Sequence, residues 1–268
     1  MGYPLVQEST APHIYHFSVD HVAREIKVGD GIKLTESKGE IDIEGVAAGG
    51  ENLCYIVGSH GISRKKREFS PNAFSIWKLK FDDDEWEFRR GSLSVLIATN
   101  EKLGPFYRKT LQENGVNIEG LACDPETDTL YAGFRAPNIE GKGFVLEFDS
   151  EVVFGKTAEI VKPTLHEIDL GVGYGIRDII KIEHGFLILA GNSAPDDGVG
   201  FDPDREYLLF HWTGPEGELK KLTTVPKPNS KAKPEALLLL KEDEAGFEVL
   251  VISDGIKNGA PTVLSAKF

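Results

Sequence analysis

The sequence predicts an all-β fold, a β-propeller with four-stranded antiparallel blades, and three observations lead to this prediction. Four segments align without gaps over six residues, at 42–47, 117–122, 175–180 and 233–238. Each is followed, after a short turn, by a second apolar run, at 53–57, 130–134, 186–190 and 249–253. Helical periodicity is almost absent between these segments. Repeated hairpins of this kind are typical of propeller blades, whose first strands line a central channel.

Each predicted hairpin is followed by further strand-like segments. Alternating apolar runs at 74–81, 144–148 and 207–212 predict a third strand, and residues 165–170 give a weaker fourth. The third positions of the repeats fall at 44, 119, 177 and 235. These spacings exceed the roughly 40–50 residues of common propeller repeats, which indicates long loops. We therefore expect four visible blades.

The N-terminal segment fits two patterns. Residues 14–19 alternate as a strand, whereas Val19, Val22, Ala23 and Ile26 would share one face of a helix. We favour two strands, which could complete the blade begun by residues 233–268 and so remove exposed sheet edges. The count is then four blades, or five if these strands form a partial blade of their own. No linker-like stretch interrupts the chain, so we expect a single domain, 1–268.

Composition excludes several classes of function. The 268 residues carry a formal net charge of −13, which argues against a general nucleic-acid binder. No run reaches the roughly 18 apolar residues of a membrane span, and the first residues do not resemble a secretion signal. We expect a cytoplasmic protein that binds neither nucleic acid nor membrane. Cys54 and Cys123 lie in apolar runs and are interpreted as core thiols.

The repeat spacing predicts one charged rim at an end of the channel. Glu44 precedes His60 by 16 residues, Glu119 precedes Arg135 by 16, and Glu235 precedes Asp254 by 19. In an antiparallel hairpin, residues at these distances flank its open end. The residues expected to converge are Glu44, His60, Glu119, Arg135, Arg177, Asn192 or Ser193, Glu235 and Asp254.

Two hypotheses explain such a rim. Clustered carboxylates suit Ca²⁺, which takes six to eight oxygen ligands. The proposed metal ligands are Glu44, Glu119, Glu235 and Asp254. His60 would then be a general base, and Arg135 and Arg177 would hold a small anionic molecule, whose phosphate or carboxylate ester could be hydrolysed. In the alternative, the acids pair with the arginines as a structural lining, and the protein is a non-catalytic scaffold that binds another protein.

Two charged loops are further candidates for binding sites. The basic run at 64–67 follows the second strand of the first repeat, where it could attract phosphate. The acidic, glycine-bearing segment 196–204 lacks the spacing of an EF-hand loop. A solvated loop is the better interpretation of the second segment.

Several strings together resemble a bacterial propeller family classed as a domain of unknown function. They are Asp42-Ile-Glu-Gly, Gly58-Ser-His-Gly, Asn117-Ile-Glu-Gly-Leu-Ala, Gly133-Phe-Arg-Ala-Pro, Gly175-Ile-Arg-Asp and Pro234-Glu-Ala. The resemblance spans residues 40–256, with Ala236 in place of a glycine, and it implies a further N-terminal hairpin for which the chain shows no clear counterpart. The Glu-Gly-Leu-Ala string is also remotely similar to esterase-like phytases, which implies phosphoester hydrolysis by analogy.

Overall fold

The computed structural model describes residues 3–7, 13–20, 25–34, 41–63, 67–82, 85–155 and 162–268, and this part of the chain is mostly β-structure. Its strands form five antiparallel sheets. The first sheet, which we call the N-terminal sheet, contains β1 (Tyr3–Gln7), β2 (His13–Asp20) and β3 (Glu25–Lys33).

The other four sheets are the blades, each starting with its innermost strand. Blade 1 contains β4 (Ile43–Ala48), β5 (Leu53–Gly58), β6 (Ile76–Asp82) and β7 (Glu85–Gly91). Blade 2 contains β8 (Asn117–Asp124), β9 (Thr129–Ile139), β10 (Lys142–Asp149) and β11 (Thr164–Asp169). Blade 3 contains β12 (Tyr174–Ile182), β13 (Gly185–Asn192), β14 (Tyr207–Trp212) and β15 (Leu219–Val225). Blade 4 contains β16 (Lys233–Asp243), β17 (Gly246–Asp254) and β18 (Thr262–Ala266).

Helical structure is confined to short connections in the described part of the chain. The α-helices are α1 (Ser94–Ala98) and α2 (Ser150–Phe154). Turns of 3-10 helix cover Gly104–Phe106, Leu111–Glu113 and Lys257–Gly259. No helix among these residues is long and apolar enough to cross a membrane.

The predicted β-propeller is confirmed. The innermost strands of blades 1 to 4 lie side by side in chain order, and all four line one central channel. Apolar side chains fill the space between successive blades, as alternation along each strand requires. Between blades 1 and 2, for example, Tyr55 and Val57 of β5 pack in one cluster with Leu121 of β8. Successive blades therefore share a core.

The expected pairing of the N-terminal strands with blade 4 is wrong. The N-terminal sheet pairs internally, β1 with β2 and β2 with β3, while blade 4 consists of its own three strands. The partial fifth sheet considered from the sequence is thus the arrangement found. Strand alternation could identify these segments as strands, but pairing depends on which sheet edges the tertiary fold places near them.

Two glycines allow the inner strands to approach closely. A Cβ atom added at Gly45 would lie 2.9 Å from Cβ of Leu121 in blade 2. One added at Gly120 would lie 2.7 Å from the backbone nitrogen of Ile179 in blade 3. Any side chain at these places would push neighbouring blades apart, so the glycine of the repeated Glu-Gly pair sets the spacing of the ring.

Candidate functional site

The same backbone irregularity occurs at the start of every innermost strand. In blade 1, Ile43 is opposite Gly58 and Gly45 is opposite Val57, so Glu44 is an extra residue without a cross-strand partner. The corresponding extra residues of β8, β12 and β16 are Glu119, Arg177 and Glu235. A β-bulge of this kind redirects the side chain of the extra residue. Four bulges in equivalent positions therefore aim four charged side chains at one end of the channel.

These side chains open into a polar cavity of about 490 Å³ at the channel mouth. Seven of the residues expected on the rim line it: Glu44, Glu119, Arg135, Arg177, Asn192, Glu235 and Asp254. Arg135 is itself an extra residue, in β9, since Asn117 is opposite Ala136 while Ile118 is opposite Phe134. Ser193, the alternative to Asn192, is buried and does not line the cavity. The convergence expected from the repeats is thus present, with His60 as the exception.

Glu119 is the centre of a buried ion-pair network. One of its carboxylate oxygens, Oε1, lies 2.9 Å from Nη1 of Arg135, and the other, Oε2, lies 2.9 Å from Nη1 of Arg177. Nη2 of Arg177 also pairs with Oε1 of Glu235. The side chains of Glu119 and Arg177 are only 5% and 4% exposed. The network therefore joins blades 2, 3 and 4 by charge pairs that water hardly reaches.

Several donors of the two arginines expected to hold an anion are already engaged by protein groups. Nε of Arg135 donates to the carbonyls of Asn192 and Ser193, each at 3.2 Å, and Nη2 donates to that of Ala194 at 2.8 Å. Both terminal nitrogens of Arg177 are ion-paired, and its Nε is buried without an acceptor among the described residues. A bidentate grip on an anion would require some of these contacts to be exchanged, and it stays a prediction.

Glu44 has the most unusual environment of the four bulge residues. Its half-buried carboxyl group forms no hydrogen bond or ion pair with any described residue. Burial raises its pKa well above the usual value, and the nearby charge of Glu119 raises the pKa further. The shift favours the neutral acid more than in an exposed glutamate, and the neutral acid has an O–H donor.

The predicted metal ligands do not form one ligating cluster. Glu119 and Glu235 are engaged by arginine, while Glu44 and the exposed Asp254 make no ion pair within the described part of the chain. Within the described part of the chain, one group of acid and histidine side chains is close enough to share a metal ion, and it consists of Glu183, His184 and Glu242. These residues do not line the cavity. The Glu242 carboxylate already accepts the Glu183 backbone N–H at 2.8 Å.

His60 is not placed to act as a general base. The ring is fully buried, with Nδ1 bonded to the carbonyl of Gly58 at 2.9 Å and Nε2 accepting the backbone N–H of Leu93 at 3.0 Å. Burial lowers its pKa to about 4. Its backbone is left-handed, with φ of 51°, and the side chain does not line the cavity. The prediction from spacing was wrong because this turn places the ring in the interior, where it links two loops.

The structure describes the acidic loop fully and the basic loop only in part. Of the basic run, residues 64–66 lie outside the described residues. In the acidic segment, Asp196 pairs with Lys233 at 2.5 Å, and Phe201 and Pro203 line the cavity. The segment therefore forms part of the cavity wall.

Sequence reasoning missed two cationic residues that line the cavity. Nε of Arg205 donates to Oδ1 of Asn192 at 2.8 Å, and its guanidinium lies over the ring of Tyr174, 4.7 Å from the centroid. Lys227 donates to the carbonyl of Pro203 at 3.3 Å and forms no ion pair with the described residues. Both belong to connections outside the repeated segments, so the repeat gave no signal for them.

The sequence matches one known protein family. A family model described as "Protein of unknown function (DUF3616)" matches residues 13–80 and 85–261. No curated protein matches the sequence.

Solved structures similar to the chain include several propellers and enzymes. The β-propeller domain of Myceliophteria thermophila Cps50 (Swd1) is 11% identical, with a TM-score of 0.41 over 98% of this chain and 82% of that one. A GH43 endo-arabinanase from Bacillus licheniformis is 11% identical, with a TM-score of 0.37 over 98% and 92%. A putative 6-phosphogluconolactonase from Bacteroides uniformis is 11% identical, with a TM-score of 0.35 over 98% and 67%. These low identities and scores assign no activity.

Proposed function

Because the chain belongs to the DUF3616 family of proteins of unknown function, its activity has to be argued from its own site, and we propose that the cavity at the channel mouth binds a small anionic molecule. The observation that carries this proposal is the presence of Lys227 and Arg205, which form no ion pair with any described residue, in one open polar cavity that Glu44 also lines. Both groups are hydrogen-bond donors, and an anion supplies the acceptors they lack.

The charge distribution supports an anion more than a neutral ligand. The inner carboxylates Glu119 and Glu235 are compensated by arginines, and Asp196 is compensated by Lys233. An ammonium has three donor hydrogens, and Lys227 uses one of them on a carbonyl. Lys227 and Arg205, which form no ion pair with a described residue, attract the ligand, and the protonated form of Glu44 would supply a donor at the inner end of the cavity.

Calcium provides a second form of the same proposal. A bound Ca²⁺ would have to draw together the carboxylates of Glu44, Glu235 and Asp254, which line the cavity without forming a ligand cluster. Carboxylates bind the ion in their charged form, so Glu44 would have to lose its proton. An anion beside Glu44 favours its neutral form, so direct anion binding takes up a proton wherever Glu44 is ionised in the free protein, whereas calcium binding releases a proton wherever Glu44 is protonated.

Hydrolysis of a phosphate or carboxylate ester is the reaction class that fits this site. Water would add to the phosphorus or carbonyl carbon, and the bond to the leaving oxygen would break. Glu44 would give its proton to that oxygen as general acid, a role for which a raised pKa is suited, and the proton released by the added water would restore the neutral acid. His60 has no part in this scheme.

A scaffold without a ligand is the second candidate function. It is favoured by the Glu119 network, which joins three blades and so gives the rim charges a structural purpose of their own. In that case the cavity is only the open end of the ring, and a protein partner would bind elsewhere on the molecule.

The test is titration calorimetry with inorganic phosphate and with Ca²⁺, in buffers of different ionisation enthalpy, together with thermal melting. At ten times Kd a ligand stabilises the native state by about 1.4 kcal/mol, which raises Tm by roughly 3–6 °C. We expect phosphate to bind with proton uptake and Lys227→Ala to weaken binding about tenfold. Lys221→Ala, an exposed lysine of β15 that does not line the cavity, is the matched control.

The outcomes separate the candidates. Proton uptake that disappears in Glu44→Gln supports direct anion binding, whereas calcium binding with proton release supports the bridged form. Absence of binding by both probes would overturn the ligand proposal in favour of the scaffold. Release of the alcohol from a generic phosphoester, lost in Glu44→Gln, would support hydrolysis, and equal rates in both proteins would contradict it.

A further inference from the structure

A second cavity continues from the polar one into the channel. Its volume is about 520 Å³, and the two cavities share five lining residues: Ile43, Glu44, Glu119, Arg177 and Glu235. The shared set includes all four bulge residues. The ring of charges therefore lies between the two cavities, and a ligand held at the mouth would lie next to the second cavity.

The walls of this second cavity, which we call the inner channel, are mostly apolar. Half-buried aliphatic side chains from the innermost strands and β17 line it: Val46, Ile180, Leu238, Leu239 and Ile252. Alanines at 47, 48, 122 and 236 keep it open. Aliphatic groups that line a cavity gain free energy when an apolar ligand displaces water from them.

The change in polarity along the channel points to the ligand's shape. Charged and hydrogen-bonding groups lie at the mouth, and aliphatic groups lie behind them. Within the described residues, the charged groups lining the inner channel beyond the bulge ring are Asp178 and Lys181. Asp178 accepts two backbone N–H groups, and Lys181 donates to the carbonyl of Ile182. Asp178 thus has a partner for each carboxyl oxygen, and the Lys181 ammonium also lies over the ring of Phe186, 5.6 Å from its centroid.

We propose that the ligand is a single-chain amphiphile, with its anionic head in the mouth cavity and its alkyl or acyl chain in the inner channel. This inference rests on the proposed function, because it takes the anion site as the position of the head. From Glu44 to Ala48 the strand advances by about 13 Å, which gives the channel the depth for a chain of medium length.

The experiment is a chain-length series measured by titration calorimetry. Methyl, butyl, hexyl and octyl phosphate keep the head constant, and octanoate tests whether a carboxylate can replace it. All are used below their micelle concentrations. Burial of each methylene should strengthen binding about threefold to fourfold, so octyl phosphate should bind on the order of 100-fold more tightly than butyl phosphate.

A pair of variants tests the position of the chain. Leu238→Gln puts a polar group of similar size into the channel wall and should weaken octyl phosphate about tenfold while changing methyl phosphate less than twofold. Leu264→Gln, a half-buried leucine of β18 that does not line the inner channel, is the control and should leave both affinities unchanged.

The possible outcomes distinguish failure of the amphiphile proposal from failure of the anion site. A rise with chain length that is reduced in Leu238→Gln supports the amphiphile. A flat series in which methyl phosphate still binds overturns the amphiphile and leaves the anion site intact. Failure of every phosphate to bind overturns both, and a rise equal in the parent and in Leu238→Gln places the chain elsewhere and refutes the inference.

Discussion

Neutralising Glu119 should destabilise the propeller more than removing any exposed ion pair. In Glu119→Gln one carboxylate oxygen becomes an amide donor, so one arginine meets a donor in place of an acceptor. Arg177 keeps its pair with Glu235, whereas Arg135 keeps only carbonyl partners. Removing one partner of a buried ion pair costs about 3–5 kcal/mol. We expect a loss of that size in the free energy of unfolding.

Equilibrium urea denaturation measures this loss as a lower midpoint, and melting should show Tm lower by roughly 6–20 °C. Glu167→Gln is the matched control, because Glu167 forms an exposed pair with Lys102 and its side chain is 41% exposed. That pair should contribute less than about 1 kcal/mol. Equal losses in the two variants would refute the reasoning that the buried network holds the blades together.

Three further predictions concern buried positions around the ring. Burial lowers the pKa of His60 to about 4 from 6.5, so its neutral ring stabilises the fold above pH 6.5 and this contribution decreases as the pH falls toward 4. In His60→Gln, urea midpoints should depend less on pH in that window, and an unchanged dependence would contradict this origin. Asp178→Ala should cost about 1–3 kcal/mol because the Leu237 N–H loses its acceptor at 2.7 Å, and unaltered hydrogen exchange at Leu237 would argue against it. Gly120→Ala should cost about 1–3 kcal/mol, since the new methyl group would lie 2.7 Å from the Ile179 nitrogen, and a urea midpoint equal to the parent's would disprove the clash.

The strands of the blades could be predicted from the sequence. Alternation of apolar residues with period two marks a half-buried strand, and its recurrence after each repeat marks a hairpin. The N-terminal pairing could not be predicted in the same way. A strand's own residues fix which face is apolar, but the edge it pairs with is fixed by distant segments, here β1 with β2 and β2 with β3.

The composition of the candidate site was predictable only where the repeat controls it. Glu44 and Glu119 occupy the same place in their blades, so their convergence follows from the repeat alone. The partner of each charge does not, because pairing depends on side-chain geometry across blades. His60 had the expected spacing, but a left-handed turn placed its ring in the core. Lys227 lies in the loop between β15 and β16, outside the repeated segments.

Adjacent residues of the repeat have different roles: the bulge residue lines the cavity, and the residue after it contacts the next blade. Gly45 packs against Leu121 of the next blade, and Gly120 packs against Ile179 of the blade after it. Each contact reaches a residue two positions beyond the next bulge.

Blade 3 keeps the same contact with a different residue. Asp178 follows the bulge there, and its carboxylate accepts the N–H of Leu237, again two positions beyond the next bulge. The position after the bulge thus joins blades, whereas the bulge residue itself faces the cavity. A substitution at Gly120 should therefore lower stability with little effect on ligand affinity, and one at Glu44, which has no partner among the described residues, should do the reverse.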